Sequence, residues 1–391
     1  MFKLFQSNQM PLLVDAYTQR RASIETAPFS PEIVLVQNHG MGQWLKLELA
    51  QHMGIAANIS AELPGTYITG LYHQFLRTPV EKESAYSRNI LTWHIMDVLN
   101  STGTANKTSN PFLPLINYLD GEGDRDLRLY QLSHQLAGLY EQYLIYRPAW
   151  IHAWDKGAPG PLICQQHPWQ ALLWQEIIRR TDERHRANLH LELLGIIDSI
   201  NPTELPARVS LFGFSSLPPM HFDTFRALAE KVEVDIYFLN PCQHYWGDIV
   251  SPKDIARRSV RDLIEQTSDA ALADEDYMDI GNPLLSSMGK QGREYFELLL
   301  SEESLDDATH FAPSAPNTIL SLLKNDVLNL EFGGTFGVGD KPKKLTHAAN
   351  DASIRIHSCH SKAREVEVLL DQIYQRCSDD PELVPNEIIV M

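Results

Sequence analysis

Cysteine is scarce. The chain of 391 residues holds four, Cys164, Cys242, Cys359 and Cys377, far apart and without a CxxC pair, which excludes a disulfide-stapled scaffold and a zinc site built from cysteine pairs. Long apolar runs are missing too: nothing approaches the ~18 uninterrupted apolar residues of a membrane span. Residues 1–10 (MFKLFQSNQM) lack a basic stretch followed by an apolar run, and with the dispersed thiols this leads us to expect a soluble chain in the reducing cytoplasm. Positive charge is also in deficit. Lys and Arg number 33 against 50 Asp and Glu, a formal charge of −17, so contact with a polyanion needs a local basic groove rather than the whole surface.

Phosphate-binding chemistry is absent where it would be expected. A nucleotide-hydrolysing α/β domain cradles phosphate in a glycine-rich turn with the pattern GxxxxGK(S/T). The first strand-to-helix turn here reads QSNQMP, with neither glycine nor lysine. The nearest imitation, residues 334–342 (GTFGVGDKP), has Asp340 at the lysine position and a proline after Lys341. No apolar strand ends in a paired carboxylate, since Asp274 and Glu275 lie in a polar stretch. The run LFGFSSL (residues 211–217) is compared with a nucleophile elbow, but Leu217 stands where the elbow packs a glycine. His357, Cys359 and His360 alternate along an expected strand, so their side chains point to opposite faces and make a poor ligand set.

What remains is a sheet-and-helix pattern. Residues 2–6, 33–37, 55–59, 209–214 and 234–239 read as strands, the second as a buried central one. Helices are expected over residues 11–21 and 41–53, through Leu71 and Phe75, and over residues 222–231. From about residue 80 to 205 only amphipathic helical segments appear, with a polar loop at residues 101–110. The expected organisation is an α/β domain from residues 1–80 and 206–250, a helical insertion at 81–205, and a helical or irregular acidic segment with a glycine-rich piece at 251–350. A second α/β domain opens at 351–391. Residues 354–358 are expected as a strand followed by a helix capped by Ser361. The apolar run 387–391 (EIIVM) reads as a core strand at the chain end, and we expect a longer natural polypeptide.

Polar side chains cluster in two places. QNHGMGQW (residues 37–44) follows a buried strand, so Gln37, His39 and Gln43 would stand at the carboxyl rim where open α/β sheets bind ligands. Amides and imidazole donate and accept, which suits reading base edges; the alternative is that they merely cap the next helix. In the insertion, YEQYLIYRPAW (residues 140–150) and RRTDERHRAN (residues 179–188) mix aromatics with Glu141, Gln142, Arg147, Arg179, Arg180, Arg184 and Arg186. Such mixtures stack bases and neutralise phosphates, and equally the tyrosines can be core and the arginines a solvated face.

Seven strings carry a family resemblance: QNHGMGQWLKLELAQHMGIAANI (37–59), EQYLIYRPAW (141–150), HRANL (185–189), GFSSLPP (213–219), NPCQHYWGDI (240–249), GNPLLSSMGK (281–290) and HSCHSKAREVEVL (357–369). Together they resemble the N-terminal part of the RecC family, the gamma chains of bacterial exodeoxyribonuclease V, an ATP-dependent complex with RecB and RecD chains. The resemblance implies a degenerate superfamily 1 helicase fold: a RecA-like parallel sheet with helical insertions that has lost ATP hydrolysis, with no catalytic residue, metal or cofactor. It implies a chain that holds and splits a duplex DNA end and guides the 3′-ended single strand past a surface that recognises the Chi signal. Positions similar to that surface are Gln37, His39, Gln43, Leu63, Thr69, Leu139, Glu141, Gln142, Arg147 and Arg186. Three positions depart from the familiar pattern: His39 for a threonine, Thr69 for a tryptophan and Gly138 for an aspartate, so the sequence read would differ or be read less strictly. A protein–protein scaffold with DNA held elsewhere is the alternative.

Overall fold

Among the described residues six strands pair side by side, all parallel, in the order β3-β2-β4-β5-β1-β6. They are β1 (Phe2–Ser7), β2 (Glu32–Val36), β3 (Ile59–Glu62), β4 (Arg208–Phe212), β5 (Glu233–Leu239) and β6 (Asp306–Thr309). Parallel neighbours need crossover connections, and these put helices on both faces, so central strands are buried along their length. β4 is buried throughout and β5 everywhere but its ends. The chain is thus an α/β protein with a RecA-like parallel sheet and helical insertions. This computed structural model describes residues 2–22, 30–77, 84–102, 110–121, 123–161, 166–181, 184–251, 281–302, 306–332 and 351–390.

Crossover helices cover the sheet. On one face α1 (Met10–Ala22) and α2 (His39–Met53) bury Leu13, Val14, Tyr17, Leu45 and Leu49 against Val34, Val36, Phe212 and Tyr237. The Asn38 carboxamide caps α2 by accepting from the Met41 amide at 2.8 Å, satisfying one orphan donor. α3 (Pro64–Phe75) follows β3, and α10 (Pro219–Ala229), between β4 and β5, stacks Phe222 on Phe2 with ring centroids 5.6 Å apart.

Between α3 and β4 lies a helical insertion with a core of its own: α4 (Arg88–Thr102), α5 (Leu113–Leu119), α6 (Arg125–Tyr146), α7 (Pro148–Asp155), α8 (Trp169–Ile178) and α9 (Arg186–Ile196). Leu91, Ile95, Leu136, Tyr140, Trp154 and Trp174 are among its buried residues. Tyr140 and Tyr143 bond the Gln170 carbonyl and side-chain oxygens at 2.7 and 3.2 Å, so these tyrosines belong to the core. α11 (Pro283–Met288) and α12 (Lys290–Leu300) precede β6.

The chain divides into two compact units, Met1–Ala312 and Pro313–Met391. The second carries α13 (Ile319–Leu328), opened by a Thr318/Ser321 capping box, and α14 (Lys362–Asp379), capped by Ser361.

Four sequence expectations need correction. The third strand starts at Ile59 rather than spanning residues 55–59: Gly54 ends α2, Asn58 takes a left-handed φ of 59°, and Ile55 is left exposed, so pairing begins only beyond Asn58. β6 was not anticipated in the acidic segment. Its sequence DDAT has no apolar signature, because an edge strand is held by its ladder to β1. Residues 354–358 and 387–390 are in no ladder among the described residues, and Ile356 and Ile389 are exposed. Apolar alternation makes a strand only where a neighbour offers the hydrogen bonds. Residues 103–109 of the polar loop, Cys164, Asp274, Glu275 and the glycine-rich residues 333–342 lie outside the described residues. Among those described, no helix is long and apolar enough to cross a membrane.

Candidate functional site

In a parallel sheet of this kind ligands sit beyond the carboxyl ends of the strands, so what lies there decides the chemistry. Two residues, Asn8 and Gln9, connect β1 to α1. Their side chains are spent on the segment after β6: Asn8 Nδ2 and Gln9 Nε2 donate to the Ala312 carbonyl at 2.8 and 3.0 Å, and Asn8 Oδ1 accepts from the Ala312 amide at 3.0 Å. Ser7 Oγ donates to the His310 carbonyl at 2.7 Å. A phosphate cradle needs a loop long enough to turn several amides toward one anion, and this turn is short and stitched shut.

The neighbouring strand ends are also filled. At the end of β4, Gly213 has a φ of 72°, and a Cβ there would lie 3.3 Å from the Met10 methyl and 3.8 Å from that of Met41. Two thioether side chains thus cover the strand end. At the end of β5, buried Asn240 donates to Gln6 Oε1 at 2.8 Å and accepts from Trp246 Nε1 at 3.0 Å. Ser215 accepts from Gln37 Nε2 at 3.0 Å, and among the described residues no histidine bonds it.

The sequence-derived site residues fall into three groups. Gln37 follows β2 directly, and His39 and Gln43 lie one turn apart on α2; all three are exposed. α2 reaches β3 through Gly42, where a Cβ would come within 2.9 Å of the Ala61 methyl. In the second group, Leu63 precedes α3 and is half-buried, while Thr69 on α3 donates its hydroxyl back to the Gly65 carbonyl at 2.7 Å. The third lies on and after α6: Leu139 and Glu141 are half-buried, Gln142 and Arg147 exposed. Leu139 packs on the insertion core. Arg147 lies 5.7 Å from the Trp150 ring centroid.

Arg186 joins the second and third groups. It opens α9, which packs on α3, α6, α7 and α10. Of the four arginines between residues 179 and 186, Arg179 pairs with Glu176, Arg180 with Asp97 and Arg184 with Glu192, a solvated face as the bland reading expects. Among the described residues Arg186 meets no carboxylate. It faces Tyr72 and His221 instead: its charge opposes the upward push of burial on the Tyr72 phenol, and adds to burial in holding His221 down to about 4.

Sequence reasoning missed what positions Arg186. Buried His185 caps α9, its Nδ1 accepting from the Asn188 amide at 3.3 Å. Nε2 must therefore carry the proton, and it lies 3.0 Å from Asp155 Oδ2. Trp174 Nε1 donates to the other carboxylate oxygen at 2.8 Å. Burial raises the Asp155 carboxyl, but the bonds from His185 and Trp174 outweigh it and the net shift is downward. Asp155 ends α7, Trp174 lies on α8 and His185 precedes α9, so no local motif announces them. Among the described residues no cluster of three or more side chains could hold a metal ion.

The family model described as the RecC N-terminal domain matches residues 2–330. The chain is similar to the RecBCD enzyme subunit RecC of Escherichia coli K12, at 34% identity over all of this chain and 37% of that protein. It is 32% identical to RecC of Haemophilus influenzae, over all of this chain and 38% of the relative. With RecC of Mycolicibacterium smegmatis it shares 27% over 99% of this chain and 33% of the relative. The chain spans 33–38% of the length of these relatives.

Proposed function

The chain belongs to the RecC family, and from that premise we propose that it is a non-catalytic, DNA-guiding part of a RecBCD-type helicase–nuclease acting in the cytoplasm in double-strand break repair and recombination. RecB- and RecD-type partner chains pull the DNA. This chain takes the duplex end, leads the 3′-ended strand past its rim and reads the Chi signal. Residues 1–80 and 206–250 act as the RecA-like domain, 81–205 as its insertion, 251–350 as a linking segment and 351–391 as the start of a second RecA-like domain.

The observation that supports this reading is the closed β1–α1 turn, with Asn8 and Gln9 bonded to Ala312 and with Met10 and Met41 over Gly213. It is a motor-type sheet whose nucleotide crevice is occupied by its own side chains. The reading role falls to Gln37, His39 and Gln43 at the sheet rim, to Leu63 before α3 and Thr69 on it, and to Leu139, Glu141 and Gln142 on α6. Arg147 and Arg186 contact phosphate or lock the reading side chains.

The test uses the assembled complex. Gln43→Ala and Arg186→Ala should each change the response to the signal and leave unwinding nearly intact; an unaltered response in both removes them from the site. Productive ATP turnover by this chain in isolation would refute the non-catalytic role. Crosslinking of a threaded single strand should give adducts near Gln37 or Glu141, whereas a pure scaffold gives none.

A further inference from the structure

Large aromatic side chains are usually withdrawn from water, and a contiguous exposed set of them marks a contact surface. The helical insertion carries such a set outside the residues discussed so far. Trp93 on α4 is 63% exposed and Tyr130 on α6 is 43% exposed. Their ring centroids are 6.2 Å apart, and Tyr130 lies almost parallel to His134, at 6.0 Å and 13°. Thr92 Oγ1 approaches His134 Nδ1 at 3.4 Å, tying the imidazole to α4. Tyr130, His134 and Gly138 are successive turns of one α6 face, which Glu141 continues.

Each end of this strip has a guanidinium. Arg88 lies flat over Gly138, where a Cβ would meet its Nε at 3.1 Å, and its Nε donates a long hydrogen bond of 3.4 Å to the His134 carbonyl. Absence of a side chain at Gly138 is what gives Arg88 this place. At the other end, Arg125 donates to Asn100 Oδ1 at 3.4 Å. Among the described residues neither arginine meets a carboxylate, and the nearby Asp97 is taken by Arg180. Arg88 with Gly138, Trp93 with Tyr130 and Asn100 with Arg125 pair in opposite chain directions, so α4 and α6 run antiparallel and the strip follows their seam. From Arg125 to Gly138 it extends about 20 Å at ~1.5 Å per helical residue, room for roughly six nucleotides at ~3.4 Å each.

We propose that Arg88, Trp93, Arg125, Tyr130 and His134 form a stacking platform for single-stranded nucleic acid, in which bases lie on the rings and the two guanidiniums take phosphates. Ring faces accept any base, so the platform holds the strand without reading it. Unpaired arginines at both ends distinguish it from a protein-docking face, which a chain with a charge of −17 would not be expected to supply with uncompensated cations. The inference rests on the proposed function for the passage of the strand along α6, where the platform adjoins Glu141.

The test is binding of a fluorescent oligothymidylate of about a dozen nucleotides to the full chain at low salt, read by anisotropy. Trp93→Ala and Tyr130→Ala should each weaken binding about five-fold or more, and Trp93→Phe should restore most of it. Arg88→Ala and Arg125→Ala should each flatten the slope of log affinity against log salt by about 0.7. Because the substituted side chains are exposed, thermal unfolding should be unchanged. No oligothymidylate binding by the unaltered chain, or unchanged affinity in the Trp93 and Tyr130 variants, overturns the proposal. Normal DNA binding in those variants with loss of assembly onto RecB- and RecD-type chains would assign the face to protein and overturn it as well. Gln43→Ala and Arg186→Ala separate the two ideas: a lost signal response with platform variants unaffected refutes the platform alone. Weakened platform variants with an unaltered response refute the reading role alone.

Discussion

His221 gives the sharpest quantitative prediction. It sits in the first turn of α10, buried, with its Cε1 3.9 Å from where a Cβ on Gly65 of α3 would lie. Burial, then the charges of Arg186 and His190, push its pKa from 6.5 down to about 4. Between those values the unfolded chain binds a proton that the folded chain refuses. The stabilising contribution is therefore complete above the unfolded pKa and is lost as the pH falls toward the folded one. Integrated from neutrality to about pH 4.5, the difference is about 2.5 kcal/mol. His190, lowered by burial, shifts the same way, but it titrates in any His221 variant as well. Urea unfolding of the unaltered chain and of His221→Leu, each at neutral pH and at about pH 4.5, isolates the His221 share: the unaltered chain should lose about 2.5 kcal/mol more than the variant. Equal losses in the two, within about 0.5 kcal/mol, would show that His221 is not held neutral beside Arg186.

Two further outcomes follow from the sheet. Asp235, fully buried on β5, accepts from Arg20 Nε at 3.1 Å and faces Arg208 at 3.5 Å, with the Arg208 side chain 3% exposed. Asp235→Ala leaves that guanidinium with Glu32 as its one carboxylate partner among the described residues and should cost about 3–5 kcal/mol in urea unfolding; a loss under about 1 kcal/mol refutes the buried network. Gly213→Ala should cost about 1–2 kcal/mol for the left-handed backbone alone, with more if the Met10 methyl cannot move, and an unchanged unfolding midpoint would show that the β4 end is not closed as described.

Much of this architecture was legible before any coordinates. Residues 33–36 are a continuous apolar run, and 209–212 and 234–239 are apolar apart from Ser210 and Asp235, as a parallel strand covered on both faces tends to be. The helix after β2 announced itself through Met41, Trp44, Leu45, Leu49 and Met53 at helical spacing and a glycine at its end, which are local signals; that Asn38 caps it came from the structure. The candidate rim residues at 37–43 were visible for the same reason: polar side chains directly after a core strand stand at its carboxyl end. The polar strand β6 was not legible, because its order comes from the ladder with β1 some 300 residues away in the chain. Nor was the start of β3, which depends on one left-handed residue, Asn58.

By itself, then, the sequence determined the sheet class, the run of helices between residues 80 and 205, the lack of a GxxxxGK(S/T) pattern and the kinds of side chain at the rim, since each depends on neighbours within a few residues. Only the tertiary structure decided that Met10 and Met41 cover Gly213, that Asn8 and Gln9 bond to Ala312, and that His185, Asp155 and Trp174 hold the start of α9 while Arg186 faces Tyr72 and His221. Those contacts join residues far apart along the chain, and their energies arise from burial and packing, which have no local signature for periodicity or spacing to reveal.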